Sequence, residues 1–168
     1  VVPFGRDVGR EYVETAGNKH ALGLSIYNLG VSDIERRTGD STNAVGTFNS
    51  GDSAYAASYS YAPNDRLSLG VTGKYITQTI DVYSASAMAA DLGVLYRVSP
   101  NAKRPVTLAA SVRNVGNGIG YAGQTDPLPT TLVVAGAVAV TKGFVLDLDL
   151  GKSRDSNAYV ALGGEGRR

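Results

Sequence analysis

The sequence predicts an all-β fold: an antiparallel meander of about nine strands that forms a transmembrane β-barrel or part of one. First, large apolar residues alternate with small or polar ones, with a period of two, in successive stretches of the chain. Second, mostly short turn-like segments join these stretches, which permits antiparallel hairpins but not parallel crossovers. Third, the polar positions hold mostly Gly, Ala, Ser and Thr, whereas Lys and Glu are usual on soluble sheets.

The clearest alternation lies between residues 66 and 114, which predicts three consecutive long strands. One predicted face, expected to contact lipid, carries Leu67, Leu69, Val71, Leu92, Val94, Leu108 and Val112. Further strands are predicted over residues 8–15, 20–29, 53–62, 130–140, 144–150 and 158–164. The polar segment 31–46 is expected to be a strand end followed by a solvated loop, and the glycine-rich segment 116–123 a loop or tight turn.

Composition restricts the classes of function. The chain has 168 residues and a formal charge of +1, which indicates a single domain over 1–168 and no nucleic-acid partner. It has no cysteine and one histidine, His20, so no thiolate or histidine metal site is expected. No apolar run reaches the roughly 18 residues of a membrane helix, although a spanning strand needs only about 9–11. Val1 at the start and a C-terminus without an aromatic strand predict a chain that is incomplete at both ends.

Charged residues on the small-residue faces are the candidate functional residues. In a barrel these faces line the lumen, because small side chains suit the crowded inside of a curved sheet. The candidate lumen charges are Lys74, Asp91, Arg97, Arg113, Asp147, Asp149 and Glu165. We expect opposite signs to pair and to brace the barrel rather than to form a substrate site. The alternative is that they form the solvated face of a soluble sheet.

No pattern of residues favours an enzyme. Segment 116–123 resembles a glycine-rich nucleotide loop, but Pro127 and Pro129 follow it where a dinucleotide-binding fold needs a helix. Asp147 and Asp149 lack the further oxygen ligands of a calcium loop. A Gly-x-Ser-x-Gly nucleophile motif does not occur. We therefore expect no catalytic, cofactor-binding or metal-binding residues.

Several short motifs resemble those of the PorV/PorQ family of bacterial outer-membrane proteins, which are similar in turn to FadL-type hydrophobic transporters. The most specific are Asp91-Leu92-Gly93, Arg113-Asn114 with Gly116, and Leu128-Pro129-Thr130, within a match over roughly residues 8–165. The resemblance implies an outer-membrane β-barrel, of about fourteen strands in full-length relatives. It also implies outer-membrane lipid and secretion-system proteins or cargo as partners. The family's N-terminal Asn-Pro-Ala-Gly motif is missing, so we expect a fragment, a smaller barrel or an oligomeric sheet.

The leading hypothesis is a non-enzymatic barrel of the bacterial outer membrane that serves protein secretion or transport of hydrophobic compounds. Its surface loops, 31–50 and 116–129, are the segments expected to dock partners. The alternative is a self-assembling surface or extracellular β-sheet protein, whose exposed edges pair between copies to form a homo-oligomer. Behaviour with and without detergent separates the two hypotheses. An enzyme within the lumen is the least favoured reading.

Overall fold

The computed structural model describes residues 6–15, 19–40, 43–121 and 123–166, and it is all-β. The strands are β1 (Arg6–Thr15), β2 (His20–Arg36), β3 (Gly46–Tyr61), β4 (Leu67–Ile80), β5 (Tyr83–Arg97), β6 (Val106–Gly116), β7 (Ile119–Tyr121), β8 (Gln124–Asp126), β9 (Thr131–Thr141), β10 (Phe144–Ser153) and β11 (Tyr159–Gly166). None of these residues belongs to a helix that could cross a membrane.

Nine of the strands form one antiparallel sheet in the order β1-β2-β3-β4-β5-β6-β9-β10-β11. The remaining two, β7 and β8, pair with each other as a short hairpin between β6 and β9. Each strand of the large sheet therefore lies beside its neighbour along the chain, and the sheet curls into a half-barrel. The predicted antiparallel meander of about nine strands is confirmed.

β2 and β3 are longer than the sequence pattern predicts. β2 has 17 residues and continues through the polar segment to Arg36, while β3 has 16 and already begins at Gly46. The connection between them, of which residues 37–40 and 43–45 are described, is thereby shorter than expected. β4 and β5 are joined by only Asp81 and Val82. Asp81 has φ 59°, a left-handed conformation that Asp tolerates because its side chain is short and polar.

Residues 116–123 were expected to be a loop or tight turn, and three of them, 119–121, form a strand of the β7–β8 hairpin instead. Ile119 pairs with Asp126 and Tyr121 with Gln124, so part of the glycine-rich segment is extended and hydrogen-bonded. Gly123, with φ 86°, lies in the connection, where the lack of a Cβ permits positive φ. The glycine content indicated irregular structure, but here the glycines form part of a hairpin and its connection.

The two faces of the sheet differ in side-chain size and in curvature. The convex face carries the large apolar side chains, among them Leu24, Tyr55, Val71, Leu92 and Leu108. The concave face carries small and polar ones, among them Ser25, Thr72, Asp91 and Ser111. One cavity on the concave face touches side chains from β2, β3, β4, β5, β6 and β9, so the sheet must curl around that face.

Among the described side chains, the buried apolar ones are few and lie at one place. Ala87, Ala89 and Leu128 are buried, and Ile76 and Ile119 pack against them. This cluster joins the concave face of β4 and β5 to the segment that contains the β7–β8 hairpin. The large apolar side chains of the convex face have no such cover within the described chain: Leu24 is 61% exposed and Leu132 56%.

Candidate functional site

The convex face carries an apolar band with a sharp upper boundary. One row of paired positions across β2, β3, β4 and β5 holds Ile26, Tyr55, Tyr75 and Met88. The next row on the same face holds Asn28, Ser53, Thr77 and Ser86. The Ser53 hydroxyl donates a hydrogen bond to Asn28 Oδ1 over 2.7 Å, so the polar row is joined by side-chain contacts. Because four strands change from apolar to polar at the same level, the boundary is a property of the sheet.

The lower boundary of the band is aromatic. His20 stacks on Tyr61 with ring centroids 4.8 Å apart, and its Nδ1 lies 2.7 Å from the Tyr59 hydroxyl. In β4 the band runs from Leu67 to Tyr75, a span of nine residues. At a rise of about 3.3 Å per residue this is roughly 26 Å along the strand. Membrane-spanning strands have about 9–11 residues, and aromatic residues lie at both boundaries of their apolar band.

The concave face holds an ion pair between β4 and β5. Lys74 Nζ lies 2.6 Å from Asp91 Oδ1, and the two side chains are only 17% and 23% exposed. The same Asp91 oxygen accepts a hydrogen bond from the backbone N–H of Asn114 over 2.8 Å. Lys74 also donates to Asn114 Oδ1 over 2.5 Å. The expected pairing of opposite charges therefore occurs for Lys74 and Asp91, with Asn114 as a third member.

A β-bulge places Asn114 beside this ion pair. Ala90 and Leu92 of β5 are paired with Val115 and Val112 of β6, so β6 has one residue more than β5 across this interval. The bulge is accommodated at Asn114, which adopts a left-handed conformation with φ 59°. Asn adopts this conformation more readily than most residues. The alternation of β6 resumes on both sides of the bulge, and Val112 and Val115 both face outward.

Asn114 also connects the ion pair to the loop between β6 and β9. Its Nδ2 donates to the Pro129 carbonyl over 3.2 Å, and its own carbonyl accepts from the Thr130 hydroxyl over 3.0 Å. All four hydrogen-bonding groups of this residue are therefore used. Sequence reasoning noted Asn114 only as part of a family motif, and its tolerance of positive φ was the signal that could have indicated a bulge.

The other predicted lumen charges share the concave face but not the ion pair. By strand pairing, Arg97, Arg113, Asp147, Asp149 and Glu165 all point to the side of Lys74 and Asp91. Arg97 donates to the Asp65 carbonyl over 3.2 Å, at the far end of β5. The Asp147 carboxylate lies over Gly163, where an added Cβ would come within 2.5 Å of Oδ2. Of the predicted lumen charges, Lys74 and Asp91 thus form one compact centre together with Asn114.

A continuous groove runs along the concave face past the ion pair. Its upper part is a cavity of about 500 Å³ whose lining includes Ser25, Ala56, Thr72, Asp91, Arg113 and Thr131. Below it, a cavity of about 350 Å³ shares Ser25, Thr72, Asp91 and Arg113 with the first. Gly70, Gly93 and Ser111 lead on from there into a third cavity of about 350 Å³. Small side chains leave this space open, and the charges lie towards its upper part.

The two predicted partner-docking segments lie at the same end of the sheet. We call this the upper end; it contains residues 37–40 and 43–45, the turn at Asp81 and Val82, and residues 117–121 and 123–130. Arg36 is paired here with Asp81 at 2.5 Å, and its guanidinium lies 5.7 Å from the centre of the Phe48 ring. This contact links β2 to the β4–β5 turn, and the sequence alone did not indicate it.

Searches against protein-family models and against curated protein sequences return no match to this chain. Within the described ranges, no group of three or more His, Asp or Glu side chains is arranged to hold a metal ion. The convex band, the ion pair and the groove are therefore the features from which a function is inferred.

Proposed function

We propose that this chain forms part of the wall of a non-enzymatic β-barrel of the PorV/PorQ type in the bacterial outer membrane. In this proposal the barrel serves protein secretion or transport of hydrophobic compounds. The convex band contacts lipid, and the concave face lines the lumen. The single observation that carries the proposal is the exposed apolar band, whose polar upper boundary is in register across four strands.

The exposure of the band favours a lipid environment over water. Soluble monomers rarely expose continuous apolar patches larger than a few hundred Å². Here residues such as Leu24, Val71 and Leu92 form one continuous surface over several strands, and each is more than a third exposed. Hydrocarbon covers such a surface without the free-energy cost that contact with water carries. The tyrosines at both boundaries suit the headgroup levels.

The concave face has the features of a lumen. It is lined by Gly, Ala, Ser and Thr, it encloses a groove, and its Lys74 and Asp91 neutralise each other. A charge on the lipid side would be costly, whereas a wet interior can solvate a charge outside this ion pair, such as Arg113. Transport or cargo passage is thus supported by a groove of small side chains rather than by any arrangement of catalytic groups.

Vesicle flotation tests the membrane assignment. The purified chain is mixed with phospholipid vesicles and centrifuged through a density gradient, and a parallel sample is kept in buffer without detergent. We expect the chain to float with the vesicles and to show heat-modifiable migration on gels. A discrete soluble species without detergent would contradict the proposal.

The self-assembling alternative is favoured by one observation: within the described residues, β1 and β11 each have a strand partner on one side only. Unpaired edges can join copies of a sheet. Polymers that form in buffer and do not float with vesicles would support this alternative. Deletion of the gene from its host separates secretion from transport, since a secretion role predicts loss of secreted proteins and a transport role predicts loss of uptake alone.

A further inference from the structure

The segment formed by residues 117–121 and 123–130 folds back over the concave face at the upper end. Ile119 and Leu128 from this segment pack against Ala87, Ala89 and Ile76 of the sheet. Leu128 is 7% exposed, in contrast to the apolar side chains of the convex band. We call this the inward segment.

Hydrogen bonds hold both ends of the inward segment against the sheet. At its start, Asn117 Oδ1 accepts from the Met88 N–H over 2.7 Å, and the Asn117 N–H donates to the Met88 carbonyl over 3.2 Å. At its end, Asn114 binds the Pro129 carbonyl and the Thr130 hydroxyl. Within the segment, Gly118 permits the close approach of residues 125 and 126, because a Cβ there would lie 2.4 Å from the Asp126 carbonyl oxygen.

The inward segment lies directly at the upper end of the groove. Ala54 and Lys74 line the groove, and by strand pairing they are neighbours of Ile76 and Ala89, which the segment covers. The covered residues would otherwise continue the groove towards the upper end. The same Asn114 that holds the segment is bound to Lys74 and Asp91 on the groove wall.

We propose that the inward segment is a lid that closes the upper end of the groove. Leu128 holds it closed by packing against the sheet, and Asn114 holds it by hydrogen bonds to residues 129 and 130. Its lifting uncovers the strip of Ile76, Ala87 and Ala89 and extends the groove to the upper end. The role of this lid in passage of material rests on the proposed function. The contact between the lid and the sheet does not rest on it, so an experiment can reject the proposed function and leave the lid contact standing, or the reverse.

Thiol accessibility tests the lid, because the chain has no cysteine of its own. Ala89→Cys introduces a thiol under the lid, and its rate of reaction with a charged maleimide is measured in detergent. Leu128→Ala and Asn114→Gly, each added to Ala89→Cys, should raise this rate about ten-fold or more, because each removes contacts that keep the lid closed. Leu132→Ala is the matched control: Leu132 lies on the convex face, and its replacement should leave the rate unchanged.

Equal rates in all four proteins would overturn the lid, as would a rate for Ala89→Cys as fast as that for Val82→Cys in the exposed turn. If Ala89→Cys prevents folding, amide hydrogen exchange of residues 119–121 is compared between the unaltered chain and Leu128→Ala. Faster exchange in the variant supports the lid, and equal exchange overturns it. Failure to float with vesicles, by contrast, rejects the proposed function without bearing on the lid contact.

Discussion

Asn114 shows how a single residue can join three parts of the molecule. Its positive φ forms the bulge in β6, its amide side chain reaches both Lys74 and Pro129, and its backbone N–H binds Asp91. The conformation and the hydrogen bonds are separate requirements. Glycine satisfies the first but not the second, and alanine satisfies neither.

Substitutions at Asn114 therefore have a predicted order of cost. Asn114→Gly should destabilise the fold through its lost side-chain hydrogen bonds, and Asn114→Ala should cost about 1 kcal/mol more because of the left-handed backbone. Urea unfolding in detergent measures both. Asp33→Gly is the control: Asp33 has φ 59° at a similar bulge in β2, where its N–H binds Asn49 Oδ1, so glycine should change stability by less than about 0.5 kcal/mol. Equal costs for the two Asn114 variants would refute the argument from φ.

The ion pair of Lys74 and Asp91 gives a second prediction at the residue scale. Lys74→Met leaves a partly buried carboxylate without its counter-ion and should cost about 1–3 kcal/mol. Asp91→Asn keeps an acceptor for the Asn114 N–H, so the double variant should recover part of this loss. A double-mutant cycle by unfolding should give a coupling energy of about 1 kcal/mol. Purely additive losses would show that the pair is not a unit.

β4 shows how one strand divides its convex face between two environments. Leu67, Leu69, Val71 and Tyr75 lie within the apolar band, and Thr77 and Thr79 continue the same face above it. The alternation does not change along the strand. What changes is the chemistry of the outward positions, and it changes where the neighbouring strands change too.

A charge scanned along β4 should therefore have a cost that depends on position. Val71→Arg, in the middle of the band, should lower the free energy of unfolding from lipid vesicles by about 2–4 kcal/mol. Thr79→Arg, on the same face eight residues further along, should cost about 0–1 kcal/mol. Equal costs at the two positions would mean that the band does not mark the extent of the hydrocarbon.

At the scale of the whole molecule, the sheet extends further above the apolar band than below it. β2 continues from Asn28 to Arg36 above the band, whereas below it the strands end close to His20 and Tyr61. Residues 37–40 and 43–45 and the inward segment also lie above it. Outer-membrane barrels have short periplasmic turns and longer extracellular loops. Under the proposed function, we therefore predict that the upper end faces the outside of the cell.

Cysteine labelling of intact cells checks this orientation, since the chain is free of cysteine. Val82→Cys, in the upper turn, should react with a membrane-impermeant maleimide in intact cells. Asn101→Cys, in the lower connection between β5 and β6, should react only after the cells are opened. The reverse pattern would invert the orientation.

The face assignment could be predicted from the sequence because it needs only the period of two. Leu67, Val71 and Leu92 lie on the convex side, and Lys74 and Asp91 on the concave side, as the alternation requires. Register is different, because no short-range pattern states which residue opposes which. The sequence therefore predicted that opposite charges pair on this face, but not that Lys74 pairs with Asp91.

Irregular features were the least predictable. The bulges at Asp33 and Asn114 and the turn at Asp81 all use positive φ at Asp or Asn, where glycine would have given a stronger signal. The β7–β8 hairpin was missed for the opposite reason, since its glycines indicated a loop. The hairpin is stabilised because Ile119 and Leu128 pack against Ala87 and Ala89, which are distant in sequence.

The order of the sheet also constrains any closed wall that contains it. In an antiparallel sheet of nine strands, β1 and β11 run in the same direction. Suppose that a second copy, related to the first by rotation about the barrel axis, completes the wall. The β11 edge of one copy would then meet the β1 edge of the other, and these two strands would be parallel. An entirely antiparallel closed wall needs an even total, so only an odd number of added strands can complete it.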